Sequence, residues 1–475
     1  MKKIKVLIFL LLIVCKSVSQ TIEPCPCLVN FEEGLEGKCG YLVVPENRSK
    51  PFQKRIKIPY IYVHNPEVPK KHVTLFSTGG PGYSTTANYT KITKSFPFLR
   101  FGGFIAFNQR GTKNSIPCLE CPEINEALKK SYQENRNRDS LIHLATTKCR
   151  TRLTKEGIDL SAYSTYESAA DIADLINALQ LDSVTLFGIS YSGGLMQTVA
   201  NLYPKNIKTL LLNSPLPSFV NYEEHALFSH QHALELVFDK VKMDSVWSQK
   251  HPQLKERFQA YFSNINEKTF HLDYQPSTES TTYRIAYTKH ELLSQIVDHI
   301  GTDSWKKIPE MIENMINGNH RVYVEAYLGN VWRGNTSIAH GERFSAYCSE
   351  QIAFANRKLI QKQTELLPWW KGFQFNSPTP AMCDCWQVKP EPKVQKQAVL
   401  SAIPALLVTG EIDPYCPVYY SRLIAQTMLN AQSFVIKNQG HVPGLRVDGF
   451  DLPMTFLENP YKKIIPTTPN IVIDQ

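Results

Sequence analysis

The sequence predicts an α/β protein: a mostly parallel sheet flanked by helices, with a large, mainly helical segment inserted before the last strands. Three observations lead there. Through the first half, short apolar runs rich in branched and aromatic residues alternate with helical patterns, as buried strands and their crossover helices should. From Pro217 to Val399 that alternation gives way to helical, charged and aromatic segments holding all six tryptophans. Strand–helix–strand order then returns over Ala405–Ile436. A sheet interrupted and resumed is one domain carrying a lid. The spans 20–216 and 400–475 are therefore expected to form the core, and 217–399 the lid.

Taken in order, the chain begins MKKIKVLIFLLLIVCKSVSQ. A basic start, an apolar stretch from Val6 to Val14 and small residues at Ser17 and Ser19 read as a secretory signal over residues 1–19. That stretch is too short to span a bilayer, so no stable membrane span is expected. The mature chain is expected in the periplasm or outside the cell. Val14 is bulkier than the residue a lipidation site accepts before its cysteine, which argues against an anchor through Cys15. Ile56–Val63, Val73–Ser77 and Gly103–Phe107 read as strands. Ser168–Gln180 reads as a helix, with Ala169, Ile172, Ala173, Ile176 and Leu179 on one face. Val184–Phe187 is the next strand, Tyr191–Leu202 a helix and Lys208–Leu212 a strand. After the insertion come Ala405–Thr409, a helix over Val418–Leu429, and Ser433–Ile436.

Composition and charge exclude several classes of function. At 475 residues with 43% hydrophobic and 20% charged, the chain is ordinary globular protein. The formal charge of +9 includes Lys2, Lys3, Lys5 and Lys16; without them 48 basic and 43 acidic side chains leave +5. No concentrated Lys/Arg block accompanies that excess, so nucleic acid is not an expected partner. Ten of the 11 cysteines lie beyond Cys15, an even number that suits disulfides in an oxidising compartment. Neither Cys118/Cys121 nor Cys383/Cys385 has a histidine at ligand spacing, and His225, His230 and His232 read as solvated on a polar helix. Neither a metal nor a cofactor is expected.

The segment Gly188-Ile-Ser190-Tyr-Ser192-Gly-Gly194 follows a predicted strand and opens a predicted helix. That is the setting of a nucleophile elbow, a strained turn that lifts a serine hydroxyl above the sheet edge. Ser190 is the expected nucleophile; taking Ser192 instead would put a serine where the first small residue belongs. Ser192 itself stands where the pattern usually has glycine. A serine nucleophile needs a base, and the base an orienting carboxylate. Asp413 follows the strand ending Thr409-Gly410, and His441 follows the next one, so Ser190, Asp413 and His441 run in the chain order of a hydrolase triad. Gly79-Gly80-Pro81-Gly82, after another strand, offers backbone N–H groups. Gly80 and Tyr191 are the expected oxyanion donors. Arg110, in Asn108-Gln-Arg-Gly-Thr112, is expected to be a structural tie.

Taken together, Gly79–Gly82, Asn108–Thr112 and Gly188–Tyr191 resemble the α/β-hydrolase peptidases of the proline iminopeptidase and tripeptidyl aminopeptidase group. So do Cys39–Pro45, Cys149–Leu181, Cys385-Trp386 and Gly410–Pro414. The departures are Asn108, where aspartate is usual, and Ser192. The resemblance implies an α/β-hydrolase fold and a serine aminopeptidase that frees N-terminal residues from peptides through an acyl-enzyme. A free α-amine must then be recognised, for which Glu223, Glu224 and Glu350 are the candidates. By the same resemblance Cys118 would pair with Cys149, and Cys348 with Cys383 or Cys385. Two alternatives stay open: an esterase using the same triad on small acyl esters, and a binding protein that kept the fold without turnover. Step length, proline preference and oligomeric state are not decided by the sequence.

Overall fold

Ten strands form one sheet in the computed structural model, which describes residues 21–50, 52, 54–68, 72–376 and 378–474. In chain order they are Thr21–Pro24 (β1), Glu36–Pro45 (β2), Arg55–His64 (β3), His72–Ser77 (β4), Gly102–Phe107 (β5), Val184–Ile189 (β6), Ile207–Asn213 (β7), Ala405–Gly410 (β8), Ala431–Ile436 (β9) and Ile471–Asp474 (β10). Their spatial order is β1-β2-β3-β5-β4-β6-β7-β8-β9-β10. From β5 through β9 every neighbouring pair is parallel. Antiparallel pairs close both edges. The signal expected over 1–19, with Cys15, lies outside the described residues. Among those described, no helix is long and apolar enough to cross a membrane.

Each strand read from the apolar runs is present, extended by one or two residues at its ends. The missed ones have a physical reason. β1 is Thr-Ile-Glu-Pro, and β10 has Val472 and Ile473 exposed at the sheet margin. Neither shows the continuous burial that marks a central strand.

Helices cover both faces. Thr165–Ala178 and Tyr191–Leu202 bury Ile172, Ile176, Leu195 and Val199 against Leu75, Leu186 and Leu210 on one side. Ser164 caps the first of these, its hydroxyl accepting from the Glu167 N–H at 3.3 Å. On the other side Leu452–Glu458 sets Phe456 and Leu457 against Val408 and Phe434. Register then brings strand ends together. Ser77 stands beside Gly188, Ile189 beside Asn213 and Gly410 beside Ile436, so the loops after β4, β6, β7, β8 and β9 leave from one edge.

Between β7 and β8 the chain forms helices, the longest Ala226–Met243, and one hairpin, Phe270–Tyr274 with Tyr283–Tyr287. The hairpin was not expected. The insertion has its own core, in which Phe258, Phe262, Ile296, Ile312 and Trp370 are buried. Two helices of the first half, Pro122–Gln133 and Arg138–Lys155, pack with it: Tyr132 joins that core, and its hydroxyl donates to Glu291 at 2.6 Å. Arg150 likewise donates to the Trp386 carbonyl at 2.8 Å.

The disulfides are Cys27–Cys39, Cys121–Cys149 and Cys348–Cys383. This corrects the Cys118–Cys149 expectation. Cys121 precedes the helix that packs along the one carrying Cys149, whereas Cys118 is a free thiol three residues earlier. For Cys348 the structure selects Cys383 over Cys385.

Candidate active site

Ser190 sits between β6 and its helix at φ 55° and ψ −126°, a strained backbone for a residue with a side chain. Backbone bonds hold it there. Its N–H donates to the Asn213 carbonyl at 3.0 Å, and its own carbonyl accepts from Gly193 and Leu216 at 2.9 Å each. The turn has no room for a side chain at Gly188, where a Cβ would lie 2.5 Å from the Ser192 carbonyl oxygen. Ser192, the departure from the usual glycine, has a job of its own. Its hydroxyl accepts from the Ile189 N–H at 2.8 Å and lies 2.6 Å from the Ser77 carbonyl, tying the elbow to the end of β4.

The other two loops converge on the same place. Asp413 is buried, with Oδ1 accepting from the Tyr415 and Cys416 N–H groups at 2.9 Å each and Oδ2 lying 2.8 Å from His441 Nδ1. With Nδ1–H directed to that carboxylate, the other ring nitrogen is the acceptor. Val442 takes φ 57°, unusual for a branched residue, and its N–H donates to Ser214 Oγ at 3.0 Å. Strain at Ser190, Ser214 and Val442 thus gathers around one spot. Ser190 and His441 both line a cavity of about 430 Å³.

Gly79, Gly80 and Tyr191 line this cavity too. A Cβ on Gly79 would lie 2.8 Å from the Ser190 Cβ, so the turn must approach bare. The N–H groups of Gly80 and Tyr191 have no acceptor among the described residues. Cys416 also reaches the cavity. Burial and the nearby Asp413 push its thiol well above the ordinary range, which disfavours the thiolate and so a rival nucleophile.

The insertion roofs the cavity. Arg343 donates to the Gly80 carbonyl at 2.8 Å and to Asn376 Oδ1 at 2.6 Å, while the Ala339 N–H bonds the Gly82 carbonyl at 2.9 Å. Tyr347, Phe375 and Asn376 complete that wall. Nothing in the sequence pattern singled these residues out, because they come from separate lid segments. His230 corrects the expectation of a solvated trio. It is fully buried against Tyr415, whose ring packs edge-on to His441 with centroids 5.1 Å apart.

None of the three glutamates lines the cavity. Glu224 accepts from the Asn356 N–H at 2.6 Å on a surface loop. Glu350 is buried behind the nucleophile helix, where Thr165 donates to it. Neither reaches this cavity's lining, a correction to the reading that they face it. Glu223 lies just behind the wall, accepting from the Tyr347 hydroxyl at 2.7 Å and the Asn376 amide at 2.8 Å.

Burial pushes the Glu223 carboxyl up to about 7, against the lowering pull of those two bonds and of Arg343. A raised carboxyl keeps its proton in the folded state from the unfolded value near 4.3 upwards, so it erodes stability as pH rises through that window. Glu223→Gln cannot ionise. Its stability relative to the native chain is therefore expected to improve by roughly 1–3 kcal/mol between pH 4.5 and pH 8. Urea midpoints at both pH values check this; a difference independent of pH would refute it.

Residues 71–445 match the family described as the alpha/beta hydrolase fold. The chain belongs to that family. The match spans β4 to the loop that carries His441, so the convergent loops all fall inside it. The chain is also similar to the tripeptidyl aminopeptidases of Streptomyces lividans and Streptomyces coelicolor. Identity to each is 21% over 434 residues, covering 83% of this chain and 75% of theirs. Among solved structures, an esterase from Thermogutta terrifontis matches with 13% identity and a TM-score of 0.35, over 85% of this chain and 92% of that one.

Proposed function

We propose that the protein is an exported serine aminopeptidase that releases residues from the N-terminus of peptides through an acyl-enzyme intermediate. The observation that carries this reading is the Asp413–His441 pair, set in the same roofed cavity as a strained Ser190. Similarity to tripeptidyl aminopeptidases supports a peptide substrate over other acyl compounds. The three disulfides fit an oxidising compartment, in keeping with export under a signal at 1–19.

In this mechanism Ser190 Oγ attacks the scissile carbonyl as His441 takes its proton. Asp413 keeps the imidazole in the required tautomer and stabilises the imidazolium. The N–H groups of Gly80 and Tyr191 hold the oxyanion. Their alignment needs no reorganisation during reaction, since the Gly80 turn is fixed from the lid side by Arg343. Collapse of the tetrahedral intermediate breaks the C–N bond, and His441 returns the proton to the leaving amine. Water, activated by the same imidazole, then hydrolyses the ester and frees Ser190. Residues 217–399 act as the lid that admits a chain end and turns away folded protein.

The test uses p-nitroanilides of Pro, Ala and Ala-Ala-Pro, each with a free and an acetylated N-terminus. Free-amine substrates are expected to be cleaved and their acetylated forms to resist. Turnover of p-nitrophenyl acetate with silence on every amide would instead identify an esterase.

A further inference from the structure

The loop that carries His441, residues 438–443, is held from two sides. The core takes part of it. The Gln439 carbonyl accepts from the Ile412 N–H at 3.0 Å, the Val442 N–H reaches Ser214, and the Pro443 carbonyl accepts from the Asn213 amide at 3.0 Å. The remaining groups point the other way. The His441 N–H donates to the Gly301 carbonyl at 3.1 Å and the Gly440 N–H to Asp303 Oδ1 at 2.5 Å, while the Asn438 carbonyl accepts from the Trp305 indole N–H at 3.0 Å. All three partners belong to the insertion, at the end of the helix Lys289–Gly301 and in the turn that follows it.

The fit there is close. A Cβ on Gly440 would lie 2.3 Å from the Ile300 carbonyl oxygen, so the two backbones must meet bare. Asp303 takes φ 56°, a left-handed backbone that aspartate, asparagine and glycine tolerate best. Trp305 is buried in the insertion's own core, which fixes the direction of its indole. A further tie runs through Lys240 on the helix Ala226–Met243. It donates to Glu411 Oε2 at 2.9 Å, and the same oxygen accepts from the Asn438 N–H at 2.8 Å. Ser190, by contrast, is fixed by the end of β7 and by its own helix. The distance between nucleophile and imidazole therefore depends on how the insertion is seated.

We propose that Asp303 and Trp305 are positioning residues that seat the His441 imidazole against Ser190, which makes the insertion part of the catalytic apparatus as well as its roof. The inference rests on the acyl-enzyme reading above, in which His441 is the base, and adds to it the residues that set the base's place. A carboxylate accepting from a backbone N–H makes a charge-assisted bond, stronger than one between neutral groups. Three such ties within four residues of the loop leave the base little freedom. Neither Asp303 nor Trp305 lines the cavity, so substrate binding should not sense them directly.

The test compares the native protein with Asp303→Gly, Asp303→Asn and Trp305→Phe. Glycine keeps the left-handed backbone and drops the acceptor; asparagine tolerates that backbone and keeps an acceptor oxygen. Phenylalanine keeps a ring in the core and drops the N–H. Two quantities are read: the rate at which a fluorophosphonate labels Ser190, and kcat and KM separately on the best native substrate among the p-nitroanilides and p-nitrophenyl acetate. Asp303→Gly and Trp305→Phe are expected to lower the labelling rate and kcat roughly 10- to 100-fold, with KM within about twofold of native. Asp303→Asn should recover most of the loss. Asp303 is exposed, so its variants are expected to fold, and thermal midpoints verify this for all three. Unchanged kcat and labelling rate in Asp303→Gly or in Trp305→Phe overturns the role of that residue, whatever its midpoint. An Asp303→Asn variant as impaired as Asp303→Gly also overturns the role of Asp303. Either result leaves the acyl-enzyme reading standing. A native protein that neither labels nor turns over any of these substrates overturns both.

Discussion

Ser190→Ala is expected to lower kcat by roughly 10⁵- to 10⁶-fold, with KM and stability close to native. The loss is large because the proposed base and its carboxylate have no other oxygen to activate. Two neighbours are within reach of substituting. Ser192 Oγ is committed to the Ile189 N–H and the Ser77 carbonyl, inside the turn of a helix and facing away from solvent. Cys416 is held as a thiol by burial. A fluorophosphonate probe should label the native protein at Ser190 and leave the variant unlabelled. Labelling of the variant, or turnover within tenfold of native, would assign the chemistry to another residue. What activity remains should reflect the N–H groups of Gly80 and Tyr191 and substrate binding alone.

How much of this was legible beforehand depends on how local each signal is. Ser190, Asp413 and His441 each follow a strand whose apolar run is plain in the sequence. Parallel pairing of those strands then brings three distant loops to one edge. Asn108 was noted as a departure, and its reason is visible only in three dimensions. Its Oδ1 accepts from the Thr86 N–H at 2.8 Å while its amide donates to the Lys113 carbonyl at 2.7 Å, and an ionised aspartate could not make the second bond. Ser192 is a similar case. The roof residues Arg343, Phe375 and Asn376 carried no signal at all. They come from lid segments whose side chains meet only after helices of unrelated spacing have packed. Carboxylates are common on any surface, so the choice among Glu223, Glu224 and Glu350 had nothing local to decide it.

The second large effect is on stability. Arg110 follows β5 and is fully buried, forking onto Asp171 with two bonds of 2.7 Å and onto the Glu46 and Ala162 carbonyls at 2.5 and 2.6 Å. Arg48 approaches Asp171 from the other side at 2.7 Å. Burial alone would raise the Asp171 carboxyl, but the two guanidiniums outweigh it and hold it below its usual range. Arg110→Met removes one partner from a fully buried charge, and such losses cost about 3–5 kcal/mol. Arg48 remains, which favours the lower end of that range. Arg110→Lys keeps the charge without the fork and should fall between. A depressed carboxyl stabilises above its unfolded value near 3.9 and loses that contribution as pH falls through the folded value. The gap between native and Arg110→Met should therefore be widest at neutral pH and shrink below about pH 4. Guanidinium midpoints across that range measure it; a gap under about 0.5 kcal/mol at pH 7 would mean the fork is dispensable. Function should follow, because the adjacent Gln109 donates to the Thr78 carbonyl at 2.8 Å, at the start of the turn that presents Gly80. The same loop that closes the core also supports the turn presenting Gly80, the proposed oxyanion donor. Loss of Arg110 should then lower kcat at temperatures where the variant is still folded, with KM little changed.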